Sequence, residues 1–322
     1  MRQMTLYNSV LRAERCGQQD FGPWWADIDY GMGSLRTCFL RRSLTAAGLT
    51  SQKVDIGGGT TVHLWGPSTA TSKPPFVLIH GFGPHGVWQW RSQISFFARE
   101  FDVYMPDLVF FGDSFSDSPQ RSEIFQATCV VKVLEKLGIH RYSVVGTSYG
   151  GFVAYRMAAM WPERVEKVVI ASSGVNMRRS DNLELLKRAK MEKTEDLMLP
   201  STAGQLRRLM ALTVFRRPYM PDFFLNDFIN KLYCENRKEK LELLKGLALG
   251  QDDTETISPL SQEVLIVWGE HDQIFLLEKA MELNKLLGEK ARLEVIRNTA
   301  HVPQLEDARQ FNNIVRNFLH DL

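Results

Sequence analysis

The sequence predicts an α/β protein: an eight-stranded, mostly parallel sheet flanked by helices, with a helical insertion. Three observations predict it. From about residue 52, short Val- and Ile-rich runs alternate with segments of helical periodicity. One run and one segment are joined by a Gly-x-Ser-x-Gly pentapeptide, Gly146-Thr147-Ser148-Tyr149-Gly150. The 89 residues from Gly174 to Gln262 carry helical periodicity and no convincing strand.

The elements follow in chain order. Met1 to Gly33 holds Trp24 and Trp25 among several glycines, with no sustained period. Leu35 to Leu49 mixes Leu, Phe39 and Ala with Arg36, Arg41 and Arg42, the pattern of a basic amphipathic helix. Residues 1–51 are therefore read as an N-terminal extension. Its helix is expected to pack on its own domain, with peripheral contact to an acidic membrane surface by residues 35–49 as the alternative. Gln52 to Ile56 and Thr60 to Trp65 flank Gly57-Gly58-Gly59, a hairpin signature. Strand-like runs then occur at Phe76 to His80, Val103 to Pro106, Tyr142 to Val145 and Val165 to Ala171. Val264 to Trp268 and Arg292 to Ile296 complete the eight. Helical patterns lie between them at Val87 to Arg99, Glu123 to Leu137, Phe152 to Trp161, Leu276 to Leu287 and Ala308 to Leu319. Residues 52–174 and 263–322 thus form the core. Within 175–262, Leu183 to Met191, Ala203 to Leu212, Asp222 to Tyr233 and Glu239 to Leu249 read as amphipathic helices. A loop of that length without structure would be improbable. The insertion leaves the sheet at the strands' carboxyl ends and is expected to form a cap, or lid.

Composition narrows the function. The chain has 322 residues, 44% hydrophobic and 24% charged, with a formal net charge of +2. Acids and bases are interspersed, so nothing attracts nucleic acid strongly. Cys16, Cys38, Cys129 and Cys234 are scattered without a C-x-x-C pair, which fits a reduced intracellular protein and a cytoplasmic location. No apolar run reaches the ~18 residues needed to span a bilayer, so no stable membrane insertion is expected.

The pentapeptide carries the chemistry. A serine squeezed by glycines between strand and helix is a nucleophile elbow, its hydroxyl lifted above the sheet. A serine hydroxyl needs a general base within hydrogen-bond reach, and that base needs an orienting carboxylate. In the order the elbow implies, the acid precedes the histidine. Gly269-Glu270-His271-Asp272 follows the penultimate strand, and Ala300-His301-Val302-Pro303 follows the last. Ser148, Asp272 and His301 are therefore the candidate catalytic set. Glu270 is the nearest competitor for the acid, with less turn in which to swing toward the base; His271 reads as structural. Alone, Ser148 would cap its helix, Asp272 would cap the helix near Leu276, and His301 would be a loop histidine. For the developing oxyanion, the backbone N–H groups of Phe82, in His80-Gly81-Phe82-Gly83, and of Tyr149 are the expected donors. Phe82, His85, Tyr149 and Val302 are expected to wall the pocket. From the insertion, apolar Leu206, Leu209, Met210, Leu212 and Phe215 are expected beside them. Arg216 and Arg217 are read as solvated, with contact to a carboxylate as the alternative. No metal or organic cofactor is called for.

These motifs, with Pro106-Asp107-Leu108 and Phe111-Gly112-Asp113-Ser114, resemble the α/β-hydrolase fold with a helical cap over residues 52 to 322. The chain is similar to plant serine hydrolases that themselves resemble meta-cleavage-product hydrolases. Ser148 stands where epoxide hydrolases and haloalkane dehalogenases carry aspartate. Ring-cleavage C–C hydrolases usually have asparagine before the serine and tryptophan after the histidine, whereas this chain has Thr147 and Val302. Butenolide-hormone receptors carry a histidine where Thr147 stands. The resemblance implies a serine hydrolase of a small-molecule carboxylic ester working through an acyl-enzyme. The alternatives are a C–C hydrolase or lyase with the same triad, or a small-molecule receptor with slow hydrolysis.

Overall fold

The computed structural model describes the backbone of residues 33–69, 71–250 and 257–321, with side chains from residue 40 onward. The sequence reading of residues 1–32, Trp24, Trp25 and Cys16 included, lies outside the described residues. Helix α1 (Gly33–Ala46) leads into the hairpin β1 (Leu49–Gly57) and β2 (Thr60–Pro67). The chain then alternates through β3 (Pro75–Ile79), α2 (Gly86–Phe97), β4 (Asp102–Pro106), β5 (Phe115–Ser116) and α3 (Glu123–Lys136). Next come β6 (Tyr142–Thr147), α4 (Tyr149–Met160) and β7 (Val165–Ala171). Helices alone follow among the described residues: α5 (Arg179–Ala189), α6 (Thr194–Met198), α7 (Ala203–Thr213), α8 (Asp222–Leu232) and α9 (Arg237–Lys245). The chain closes with β8 (Glu263–Gly269), α10 (Leu277–Leu287), β9 (Ala291–Ile296), α11 (Pro303–Glu306) and α12 (Ala308–His320).

One sheet carries the strands in the order β1-β2-β4-β3-β6-β7-β8-β9. From β4 to β9 neighbours run parallel, while β2 is antiparallel to both β1 and β4. A ninth strand, β5, pairs antiparallel with the start of β2, Thr60 facing Ser116. Two residues are too short to leave a period in a sequence, which is why eight strands are expected there and nine are found among the described residues. Likewise α6, at five residues, leaves no amphipathic stripe. Because β3 lies between β4 and β6, the chain leaves β3 and β6 in opposite directions. A crevice opens at the carboxyl ends of strands at such a switch point.

Helix α1 stops at Ala46, short of the predicted Leu49, because Leu49 opens β1 opposite Pro67 and is buried. The boundary predicted at residue 51 thus falls inside a strand. Leu44 of α1 is buried in the core beneath α2, while Arg41 and Arg42 are exposed. Among the described residues, no helix is long and apolar enough to cross a membrane.

Strand side chains alternate between two faces. Val77, Ile79, Val168 and Ile170 pack with Val130 and Leu134 of α3 and Val153 and Met157 of α4. Their neighbours Phe76, Leu78, Val169 and Ala171 pack on the other face with Trp90 and Phe97 of α2. Phe311, Val315 and Phe318 of α12, at helical spacing, close that face. Each fully buried large side chain contributes roughly 1.5–3 kcal/mol. A third cluster, with Leu185, Leu197, Leu206, Phe224 and Ile229, lies among α5 to α9 and takes in Ile274 from the loop after β8. Glu123, fully buried, receives Arg156 of α4 at 2.9 and 3.0 Å and the Ala248 N–H at 2.9 Å. That carboxylate binds α3, α4 and the segment after α9 together.

Candidate active site

The elbow is tightly constrained. Ser148 has φ 51° and ψ −120°, outside the regions open to most side chains. Such a residue costs of order 1–3 kcal/mol and persists only where its surroundings fix it. Its N–H donates to the Ala171 carbonyl at 2.9 Å. Its carbonyl accepts from Gly151 N–H at 2.9 Å and from Ser173 Oγ at 2.6 Å. A Cβ on Gly146 would overlap the Gly150 backbone, and one on Gly150 would overlap the Ile79 carbonyl. Glycine at those two positions is what lets strand, turn and helix approach so closely.

Ser148 starts α4 without a side-chain cap bond. Its Oγ lies instead 2.9 Å from His301 Nε2. His301 Nδ1 lies 2.8 Å from Asp272 Oδ2. An ionised carboxylate only accepts, so Nδ1 carries the proton and Nε2 is left to accept from the hydroxyl. The other Asp272 oxygen, Oδ1, accepts the N–H groups of Ile274 (2.8 Å) and Phe275 (3.1 Å). Asp272 is 1% exposed and His301 5%, while Ser148 is half-buried. Glu270 is exposed and turned to Asn298 N–H at 3.3 Å, away from His301. The ring of His271 stacks on Phe215, 4.5 Å between centroids.

The loop after β3 abuts the elbow: a Cβ on Gly81 would stand 3.0 Å from Ser148 Cβ. Gln89 of α2 fixes this loop, its Oε1 accepting Gly81 N–H at 2.8 Å and its Nε2 donating to the Gly81 and Pro84 carbonyls. Sequence reasoning missed Gln89, since nothing in its spacing distinguishes it from a helix-surface glutamine. His80 is buried below the loop. Its Nδ1–H donates to the Gly81 carbonyl (2.8 Å) and its Nε2 accepts Leu108 N–H (3.0 Å). Burial pulls its pKa down to about 4, so it is neutral near pH 7. Nearby, Asp107 accepts from His63 Nδ1 at 2.8 Å. Burial would raise the Asp107 carboxyl, but the His63 hydrogen bond and the imidazoles of His85 and His80 hold it below the usual range. Phe82 and Tyr149, the residues expected to supply oxyanion donors, flank Ser148 on this loop and on the first turn of α4, where helix N–H groups have no intrahelical acceptor.

Above Ser148 opens a cavity of about 1020 Å³, its mouth included, walled by both the sheet's loops and the helical insertion. Phe82, Val302, Leu206, Leu209 and Met210 line it. Four predicted wall residues do not. His85 stands at the N-terminus of α2, on the side of Asp107 and His80. Phe215 is turned outward onto His271: Val214 is extended, at φ −129° and ψ 127°, so the side chains of 214 and 215 point oppositely and Val214 takes the inner place. The side chains of Leu212 and Tyr149 are buried in packing rather than in the wall. The Tyr149 ring meets Phe82 edge-on at 5.8 Å, and burial pushes its phenol well up. Arg216 and Arg217 are exposed. The sequence reading also left out Phe224, Leu225 and Phe228, which share one face of α8 at helical spacing, and Trp88 of α2. Their signal is the apolar stripe of α8, which alone does not tell core from cavity wall.

The chain resembles known proteins over most of its length. It is 28% identical over 294 residues to a 2-hydroxymuconate semialdehyde hydrolase of Pseudomonas sp. (strain CF600), covering 86% of this chain and 93% of the relative. A 2-hydroxy-6-oxo-2,4-heptadienoate hydrolase of Pseudomonas putida is 27% identical, covering 86% and 95%. Among solved structures, a carboxylesterase from Bacillus subtilis superposes with a TM-score of 0.64 at 18% identity, over 89% of this chain and 98% of that one. The 2-hydroxy-6-oxo-6-phenylhexa-2,4-dienoate hydrolase of Rhodococcus sp. strain RHA1 does so with 0.72 at 22%, over 85% and 99%. The profile of the α/β hydrolase fold matches residues 74–308, from the first parallel strand to the start of the last helix, and this chain belongs to that family.

Proposed function

We propose that this chain is a serine hydrolase of small-molecule carboxylic esters, working through an acyl-enzyme. The observation that carries the reading is the unbroken line Ser148 Oγ to His301 Nε2 (2.9 Å) and His301 Nδ1 to Asp272 Oδ2 (2.8 Å). Ser148 attacks the ester carbonyl while His301 Nε2 takes its proton. Asp272 holds the imidazole in the tautomer that can accept and stabilises the imidazolium that results. The N–H groups of Phe82 and Tyr149 receive the charge that develops on the carbonyl oxygen. The alcohol departs with the proton from His301, and water repeats the sequence on the acyl-enzyme. The helices of the insertion act as a lid whose Leu206, Leu209, Met210 and Phe224 present an apolar wall to the substrate body. Among the described residues that line the wall there is no Asp, Glu, Lys or Arg, which supports an uncharged ester. The small-molecule substrate is the one partner this reading requires.

The names of the curated relatives support a second reading, hydrolysis of a C–C bond by the same residues. Thr147 and Val302 weigh against it. A fluorophosphonate probe and paired panels of neutral esters and vinylogous diketones test both. Labelling of native protein but not of Ser148→Ala, with ester turnover lost in the variant, is expected. Native protein that resists the probe and turns over no ester would sink the first reading.

A further inference from the structure

Where the insertion meets the sheet, its backbone is laced to both loops that carry Asp272 and His301. The Leu212 carbonyl, in the last turn of α7, accepts Gln273 N–H at 3.2 Å. The Thr213 carbonyl beside it accepts His301 N–H at 3.1 Å. From α5, the Arg188 guanidinium donates to the carbonyls of Gln273 (3.1 Å) and Ile274 (3.2 Å). One side chain closes this lacing from the sheet side. Glu306, the last residue of α11, accepts Ala300 N–H on Oε2 at 2.7 Å and Phe215 N–H on Oε1 at 2.8 Å. Arg216 N–H is a third backbone donor to it. Ala300 immediately precedes His301, and Phe215 immediately follows Val214 of the cavity wall.

We infer that Glu306 is a positioning residue: its carboxylate clasps the His301 loop to the segment leaving α7, so that the imidazole and the apolar wall hold one another in place. The inference rests on the reading of His301 as the general base. The chemistry of the clasp explains the residue type. Three N–H groups from two separate segments converge on one point, so both oxygens must accept, and only an ionised carboxylate accepts on both sides. Glutamine has one accepting oxygen and one donating amide. Whichever way it turns, one arm of the clasp meets a donor and breaks. The carboxylate touches no reacting atom; it acts through the backbone on either side of it. A displacement of the base by about 1 Å is enough to cost on the order of 10²-fold in rate.

The clasp also has a protonation state. Burial raises the Glu306 carboxyl above its ordinary value, against the three N–H donors that favour the ion, and the charge of Asp272 adds to the rise. The groups around it are Asp272 and His301 on the two loops, Arg216 on the segment after α7, Asp307 next in the chain, and His271 behind the Phe215 ring. As pH falls, Glu306 protonates and opens one arm. Exchange in the two clasped segments, corrected for its intrinsic pH dependence, should therefore quicken on the acid side.

Full-length Glu306→Gln and Glu306→Ala test this with two kinds of readout. Amide hydrogen exchange, in native and Ser148→Ala backgrounds, reports the clasp without any turnover. Exchange should quicken together in peptides covering 298–302 and 213–217. The rate of fluorophosphonate labelling reports the base, and Glu306→Gln should lower it about 10- to 100-fold, with unchanged far-ultraviolet circular dichroism. In Glu306→Gln the acid response of the two clasped segments should be absent. Glu306→Gln keeps volume and polarity while removing the charge, so it serves if Glu306→Ala does not fold. Quickened exchange in one segment only, or labelling within twofold of native, overturns the inference. Failure of native protein to label overturns the hydrolase reading instead, and the exchange data then decide whether the clasp exists.

Discussion

Replacing Asp272 by asparagine gives the sharpest test of the hydrogen-bonded line, because the structure dictates how the new amide must turn. Oδ1 of Asp272 faces two backbone donors, Ile274 N–H at 2.8 Å and Phe275 N–H at 3.1 Å, and Oδ2 faces His301 Nδ1 at 2.8 Å. Asparagine brings one acceptor and one donor. Aiming its NH₂ at two N–H groups would leave three buried donors facing each other, at a cost of about 1–3 kcal/mol for each unsatisfied group. Its oxygen therefore takes the Ile274 and Phe275 side, and its NH₂ points at His301. Nδ1 must then accept, the ring proton moves to Nε2, and Nε2 can no longer take the Ser148 proton. The geometry survives while the tautomer is wrong. A loss of about 10⁴-fold in kcat is expected, equivalent to about 5.5 kcal/mol in the barrier. Stability should fall far less, since every buried donor except the ring's keeps a partner. Ester turnover with a chromogenic neutral ester, alongside urea denaturation, separates the two effects. Activity within tenfold of native in a folded Asp272→Asn protein would refute the assignment of the base's tautomer to this carboxylate.

Three further outcomes follow from particular contacts. Gly81→Ala puts a Cβ 3.0 Å from Ser148 Cβ and from the Thr147 carbonyl, so the loop bearing Phe82 must shift; kcat should fall about 10-fold or more with little change in thermal midpoint, as turnover and calorimetry would report. His80 has its pKa pulled from an ordinary value near 6.5 down to about 4, so between those values the unfolded chain binds a proton that the folded one refuses. Stability from this group is complete above pH 6.5 and is lost as pH falls, by roughly 2 kcal/mol at pH 5, and urea unfolding of native protein should steepen in pH relative to His80→Gln. Glu123→Ala leaves the guanidinium of Arg156 without its buried carboxylate and the Ala248 N–H without its acceptor; a loss of about 3–5 kcal/mol is expected in chemical denaturation, and a loss under 1 kcal/mol would count against that carboxylate as a tie.

Much of the architecture was legible because buried strands announce themselves as short, continuous apolar runs and by their ends. Phe76 to Ile79 and Val168 to Ala171 are apolar throughout because successive side chains enter the two cores on either face of the sheet, and such a run is local. The positions of Ser148, Asp272 and His301 share this legibility, each standing just past a strand. Glu270 and Asp272 are told apart by two residues of turn, a distance that sequence alone can count. Gln89, Glu306 and the α8 wall were not legible. Gln89 acts on Gly81 from the next helix, and Glu306 acts on Phe215 across 91 positions of chain. Phe215 was misplaced because an apolar residue beside apolar residues gives no sign of which side of an extended segment it takes. The two-residue β5 and five-residue α6 fall below the length at which any period is visible.

The helices between β7 and β8 bury most of their apolar side chains against one another, in a cluster distinct from the two that sandwich the sheet. Drift in Leu206, Leu209 or Phe224 therefore alters the contour of the chamber over Ser148 without unsettling the layers that hold Ser148 still. Divergence of substrate preference and persistence of scaffold are separable in such a molecule. Two paralogues with near-identical sheets and unlike insertions would be expected to melt alike and to select differently.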